Sequence, residues 1–252
     1  YEVGEVQESR LGDEAAAIAS CKRALAGKVE RELLDDLYGL LGEIFLRRGE
    51  AERAVRELRK AVAAAGGSDP RLVGLLGRAL AAAGKDGLAA HHLAAAAASA
   101  PEPAVLAALV RVLLQSGEVD EARLAALRLV EAEPRDVEGR CLLAEAQLAS
   151  ADPNSARETL LRALELDASQ AEAHRLLSKA HAAVGDGLIA IEHLRVALGR
   201  ADEAKRPALL ADKLALLFEQ LAPPTSSDAA ADLEALLDEL GEGGEELLRA
   251  RP

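Results

Sequence analysis

Apolar residues recur along this chain at helical spacing in blocks of 34 positions. From Val137 to Gln170, and again from Ala171 to Ala204, a Leu (Leu143, Leu177) is followed eight residues later by a break (Ala151, Gly185). Ala (Ala156, Ala190), Leu (Leu160, Leu194) and Ala (Ala163, Ala197) then follow in fixed register. Spacings of three and four place such residues on one face of a helix, and the break separates two faces. Each block therefore predicts two amphipathic helices joined by a short turn, the second folding back on the first. The turn position recurs at Gly49, Gly84, Gly117, Ala151 and Gly185, in steps of 35, 33, 34 and 34 residues. A fixed period of this kind marks stacked units that bury their apolar stripes only against one another.

Small residues fall where helices must cross. Gly42, Gly77, Ala144 and Ser178 stand at one repeat position of four first helices, and Ala54, Ala89, Ala122, Ala156 and Ala190 on successive second helices. A large side chain at either place would hold the pair apart. A preference of Ala for helix explains composition but not this register.

Tyr38, Leu41, Gly42 and Phe45, followed by Gly49, Ala54, Leu58 and Ala61, are the most faithful copy of the pattern. Pro70, Leu76, Gly77, Gly84, Leu93 and Pro101 mark the next unit, and Pro103, Leu109, Gly117, Ala126 and Pro134 the one after it. A 34-residue period of this composition resembles the tetratricopeptide-repeat family. The resemblance implies an all-α fold, a right-handed superhelical solenoid of antiparallel helix pairs. About six repeats are expected over residues 1–204, the first cut short at its front. A further amphipathic helix over 205–222, with Leu209, Leu210, Leu214 and Leu217 toward one side, suits the task of covering the last apolar face. Residues 223–252 read as a linker and an acidic, Leu-rich short helical tail.

Composition narrows the function. Half of the residues are hydrophobic but only 2% are aromatic, with no Trp and no Met. Ala and Leu dominate, which favours helix over sheet. With no Met, the sequence reads as processed or as part of a longer chain. A net charge of −13 argues against a nucleic-acid-binding face. No stretch is long and apolar enough for a membrane span. Cys21 and Cys141 are 120 residues apart, on different repeats, so no disulfide is expected between them. The cytoplasm is favoured on this reading, with the periplasm as the alternative.

No phosphate-binding loop, H-E-x-x-H, paired C-x-x-C or G-x-S-x-G occurs, so neither catalytic residues nor a cofactor are expected. His174 and His181 occupy the repeat positions of Tyr38 and Phe45, and His193 lies on the following helix. They read as packing residues rather than metal ligands.

The resemblance implies a protein-interaction scaffold or adaptor that takes a peptide, a helix or a folded partner on a groove lined by first helices. On that register the groove positions are Leu40, Glu43, Arg47, Arg71, Leu75, Arg78, Arg111, Gln115, Cys141, Leu142, Glu145, Arg175 and Lys179. The Lys/Asn, Asn, Lys/Arg set with which some of these arrays hold chaperone C termini is absent. Gly39, Glu43, Leu75, Ala104 and Ala108 stand in its place. The Ala-, Leu-, Arg- and Gly-rich composition points to a high-GC bacterial source, and the resemblance implies a setting such as secretion, pilus, motility or envelope assembly, where bacteria use these arrays. Two alternatives stay open: a targeting or regulatory module of a larger enzyme, and a periplasmic assembly factor for an outer-membrane machine. From Asp228 onward eight acidic residues face Arg249 and Arg251, giving −6, with Leu233, Leu236, Leu237 and Leu240 at helical spacing. Such a segment could lie in the chain's own groove, or serve as a docking motif for another protein.

Overall fold

The computed structural model describes residues 14–27, 30, 33–201, 206, 208–210, 212, 213 and 216. Among them are eleven helices. They are α1 (Glu14–Ala26), α2 (Leu34–Arg47), α3 (Ala51–Ala64), α4 (Pro70–Ala82), α5 (Asp86–Ser99), α6 (Pro103–Ser116), α7 (Val119–Ala132), α8 (Val137–Ala149), α9 (Pro153–Leu166), α10 (Ala171–Ala183) and α11 (Gly187–Arg200). No strand occurs among the described residues. The chain divides into two compact units, Tyr1–Ala132 and Glu133–Pro252. The front of the first repeat, most of the 205–222 helix and the acidic tail with Leu233, Leu236, Leu237 and Leu240 lie outside the described residues.

Helix starts follow from local chemistry. Asp69 accepts the backbone N–H of Arg71 at 2.8 Å, and Asp136 accepts those of Glu138 and Gly139 at 3.1 and 2.9 Å. Asp152 accepts that of Ser155 at 3.1 Å. Each bond satisfies an amide that the first turn of a helix leaves without a partner. Pro70, Pro103 and Pro153 open their helices, where a missing N–H costs nothing.

The turns between paired helices need a left-handed residue. Gly49, Gly84, Gly117 and Gly185 supply it at φ of 71°, 68°, 79° and 86°. Ala151 holds the same position in the fourth pair, at φ 56°. A Cβ in that conformation costs roughly 1–2 kcal/mol. Ala151→Gly is therefore expected to raise stability by about 0.5–1 kcal/mol in urea unfolding, part of the strain relief being offset by the greater freedom of Gly in the unfolded chain. An unchanged or lower midpoint would contradict the strain assigned here.

In the first unit α2 pairs with α3, α4 with α5 and α6 with α7, and α3 and α5 each also contact the following helix. In the second, α8 pairs with α9 and α10 with α11, with α9 against α10. Ala54, Ala89, Ala122, Ala156 and Ala190 are all fully buried, as their register requires, and Leu58, Leu93, Leu160 and Leu194 lie beside them in the core. A Cβ on Gly42 would sit 2.3 Å from Leu58 Cγ, and one on Gly77 would sit 2.7 Å from Leu93 Cγ. These glycines permit the helix crossing. In the second unit, helical residues Leu209 and Leu210 are buried against Ile191, Leu194, Ala197 and Leu198 of α11.

Candidate functional site

The first helices also touch one another: α2 meets α4 and α4 meets α6 in the first unit, and α8 meets α10 in the second. Two glycines set the approach. A Cβ on Gly39 would meet Leu72 Cδ2 at 2.9 Å, and one on Gly74 would meet Val105 Cγ2 at 2.8 Å. The sequence alone gave neither glycine a packing role. Their signal was a small residue on successive first helices, three positions before Gly42 and Gly77.

Within each unit, the predicted groove residues separate into two kinds by burial. Leu40 and Leu75 of the first unit and Cys141 and Leu142 of the second are buried. Glu43, Arg78, Glu145 and Arg175 are half-buried, and Arg47, Arg71, Arg111, Gln115 and Lys179 are exposed. A cleft of about 390 Å³ in the first unit is lined by Glu43, Leu46, Arg47, Leu75 and Arg78.

Several of the basic residues are already engaged. Arg71 pairs with Glu43 at 3.3 Å and Asp36 at 3.7 Å, and Arg47 with Glu14 at 3.4 Å. Arg175 donates to Glu172 at 2.5 and 2.9 Å, and these bonds, ahead of nearby Glu145 and Asp212, raise its pKa. Arg78 and Lys179 have no ion pair among the described residues. The structure places carboxylates beside three of the arginines at predicted groove positions, Arg47, Arg71 and Arg175. Burial, reinforced by Glu172, Asp136 and Glu138, pushes the Cys141 thiol up to about 12, so it is protonated and non-nucleophilic near neutrality.

The structure also gathers the three histidines of the second unit. His174 Nδ1 lies 3.0 Å from His193 Nδ1, and the His181 and His193 rings stack with centroids 5.4 Å apart. His181 Nδ1 is 3.2 Å from Asp186 Oδ2, and His174 Nε2 is 3.4 Å from the Ala168 carbonyl. The sequence placed His174 and His181 on one helix face; it could not show that His193 enters between them. Among the described residues no group of three or more His, Cys, Asp or Glu is arranged to hold a metal. Desolvation lowers the pKa of His174, with Arg200 acting in the same direction. It also lowers that of His193, where His174 and His181 add to the effect and Glu192 opposes it.

A depressed folded-state pKa means that the unfolded chain takes up protons first. The stability from neutral histidines is thus complete above the unfolded value of about 6.5 and is lost as pH falls below it. Melting of the second unit is expected at a lower temperature at pH 5.5 than at pH 7.5, and His193→Leu is expected to reduce that difference. An equal difference in the variant would contradict the assignment.

Comparison with solved structures finds the same arrangement of helices in bacterial proteins, in keeping with the composition. MamA from Desulfovibrio magneticus RS-1 superimposes with a TM-score of 0.61 at 23% identity, over 69% of this chain and 96% of that one. PilF of Pseudomonas aeruginosa gives 0.64 at 22% identity, over 87% and 98%. TTC0263, a thermophilic TPR protein of Thermus thermophilus, gives 0.57 at 16% identity, over 73% and 99%. No protein-family model and no curated protein matches the sequence. At these identities the likeness speaks to fold, and with the 34-residue register and the paired helices it is conclusive on that point: the chain has the helix-pair repeat fold of the tetratricopeptide-repeat proteins.

Proposed function

We propose that this chain is a non-catalytic interaction scaffold that binds a peptide, helix or folded protein on its first-helix face, within a bacterial envelope, motility or secretion machine. The observation that carries this reading is the cleft over Leu75. Four of its five lining residues, Glu43, Arg47, Leu75 and Arg78, are those the repeat register assigns to the ligand side. An apolar floor rimmed by charge of both signs suits a short segment that inserts an aliphatic side chain and pairs its polar flanks at the rim.

The test is affinity capture from the source organism with the intact chain, residues 1–222, and a variant with Arg78, Arg111 and Arg175 all changed to Glu. The expected result is a defined partner held by the intact chain and lost by the triple variant. Equal capture by both would overturn the proposed face. The same experiment assigns the acidic tail. If 1–222 captures more than the intact chain, the tail competes for the face; if the partner needs the tail, Leu233, Leu236, Leu237 and Leu240 form a docking motif.

A further inference from the structure

A second cleft, of about 460 Å³, opens in the first unit between α1 and α3, over α2. Its base is Tyr38, Leu41 and Phe45, and Leu25 and Ala26 form one apolar wall. At 3.6 residues per turn, Tyr38, Leu41 and Phe45 lie on the side of α2 opposite Glu43 and Arg47, so this is a different surface from the one described above. Four cationic side chains converge on it, Lys22 from α1 and Arg53, Arg56 and Lys60 from α3, against one carboxylate, Glu57. That concentration is unexpected in a chain with 43 acidic and 30 basic residues.

The fold does not require these charges. Lys22 and Arg56 are exposed and have no ion pair among the described residues. Arg53 pairs with Glu50, and Lys60 with Glu57 at 2.8 Å; both are contacts within one turn at the surface, where an ion pair is worth little. Lys60 Nζ stands 5.1 Å from the Tyr38 ring centroid, and Arg53 Cζ stands 5.9 Å from that of Phe45. Cations held over aromatic faces at the mouth of a cleft are positioned to meet a carboxylate while an apolar side chain enters beneath them.

We infer that the cleft over Tyr38 and Phe45 is a binding site for an acidic peptide segment of a partner protein, with an aliphatic or aromatic anchor set among the four cations. A peptide is favoured over nucleic acid. The cations stand over an apolar base that suits an aliphatic or aromatic side chain, and a long polyanion is disfavoured by a chain whose net charge is −13.

The test uses the intact chain and a fluorescein-labelled octapeptide, Glu-Glu-Leu-Asp-Glu-Phe-Glu-Glu, at low ionic strength. Binding is expected to weaken by about tenfold or more in Lys22→Glu/Arg56→Glu, and to be unchanged in Arg123→Glu/Arg162→Glu, whose residues are exposed and belong to neither cleft. Both altered cleft residues are exposed, so the helices are expected to be retained, which circular dichroism checks. A peptide with Gln in place of every acidic residue is expected to bind about tenfold more weakly or less. Carbodiimide coupling of the peptide carboxylates is expected to mark Lys22 or Lys60. Equal binding by the wild type and the cleft variant, or coupling to Lys85 or Lys179 instead, would overturn the site. Displacement of the peptide by a thymidine oligonucleotide at lower concentration than by unlabelled peptide would overturn the ligand class. Tighter peptide binding after removal of residues 223–252 would assign the cleft to the chain's own tail and overturn the partner.

Discussion

Ala156→Trp is expected to lower the stability of the second unit by about 3 kcal/mol or more. Ala156 has no exposed surface and belongs to a cluster with Ala144, Leu160, Ala163, Ala173, Leu176 and Leu177. Space there exists only for a methyl group, because α8 and α9 cross at that point and α10 closes over them. An indole cannot be accommodated by a rotamer change; the helices must separate, which opens the cluster around it. The same reasoning applies to Ala190, fully buried where α11 meets α10. Urea unfolding followed by circular dichroism reads the loss. A change within about 0.5 kcal/mol, the range of ordinary surface substitutions, would refute the packing register.

Gly42→Val is expected to cost the first unit about 2–3 kcal/mol. The new Cβ would lie 2.3 Å from Leu58 Cγ and 2.6 Å from its Cδ2, and Leu58 is itself fully buried. Moving Leu58 therefore displaces further core. Gly87 is the control, since nothing lies within 4 Å of a Cβ built on it. Gly87→Ala is expected to leave stability unchanged or raise it by up to about 1 kcal/mol through helix propensity. Equal losses at Gly42 and Gly87 would mean that the effect at Gly42 is not steric.

Much of this fold was legible because a repeat states its packing rule several times. One small residue at a helix crossing is weak evidence; Ala54, Ala89, Ala122, Ala156 and Ala190 in register carry the argument together. The turns were legible for the same reason, including the one where Ala151 replaces Gly. Contacts between different repeats were harder to read. Gly39 against Leu72, and Gly74 against Val105, are separated by 33 and 31 residues and leave no short-range pattern.

The repeat register names the groove positions the resemblance implies, but it does not give the electrostatics around them. Whether an Arg is free depends on which carboxylate stands beside it in the fold. Arg71 is engaged by Glu43 from the preceding first helix, whereas Arg175 is held by Glu172 on its own. The cationic cleft over Tyr38 went unread because its four charges come from two second helices that are not neighbours in sequence. The histidine cluster likewise depends on the pairing of α10 with α11, which brings His193 between two residues on one helix face.

Whether the first-helix face binds a protein is read out by site-specific photo-crosslinking in cells of the source organism. A benzophenone side chain is placed at Gln115 or Lys179, both exposed on first helices, and for comparison at Arg123 or Arg162, both exposed on second helices. A discrete protein adduct is expected from the first pair of positions and none from the second. An adduct formed only from Arg123 or Arg162, or with equal yield from all four, would contradict binding on that face.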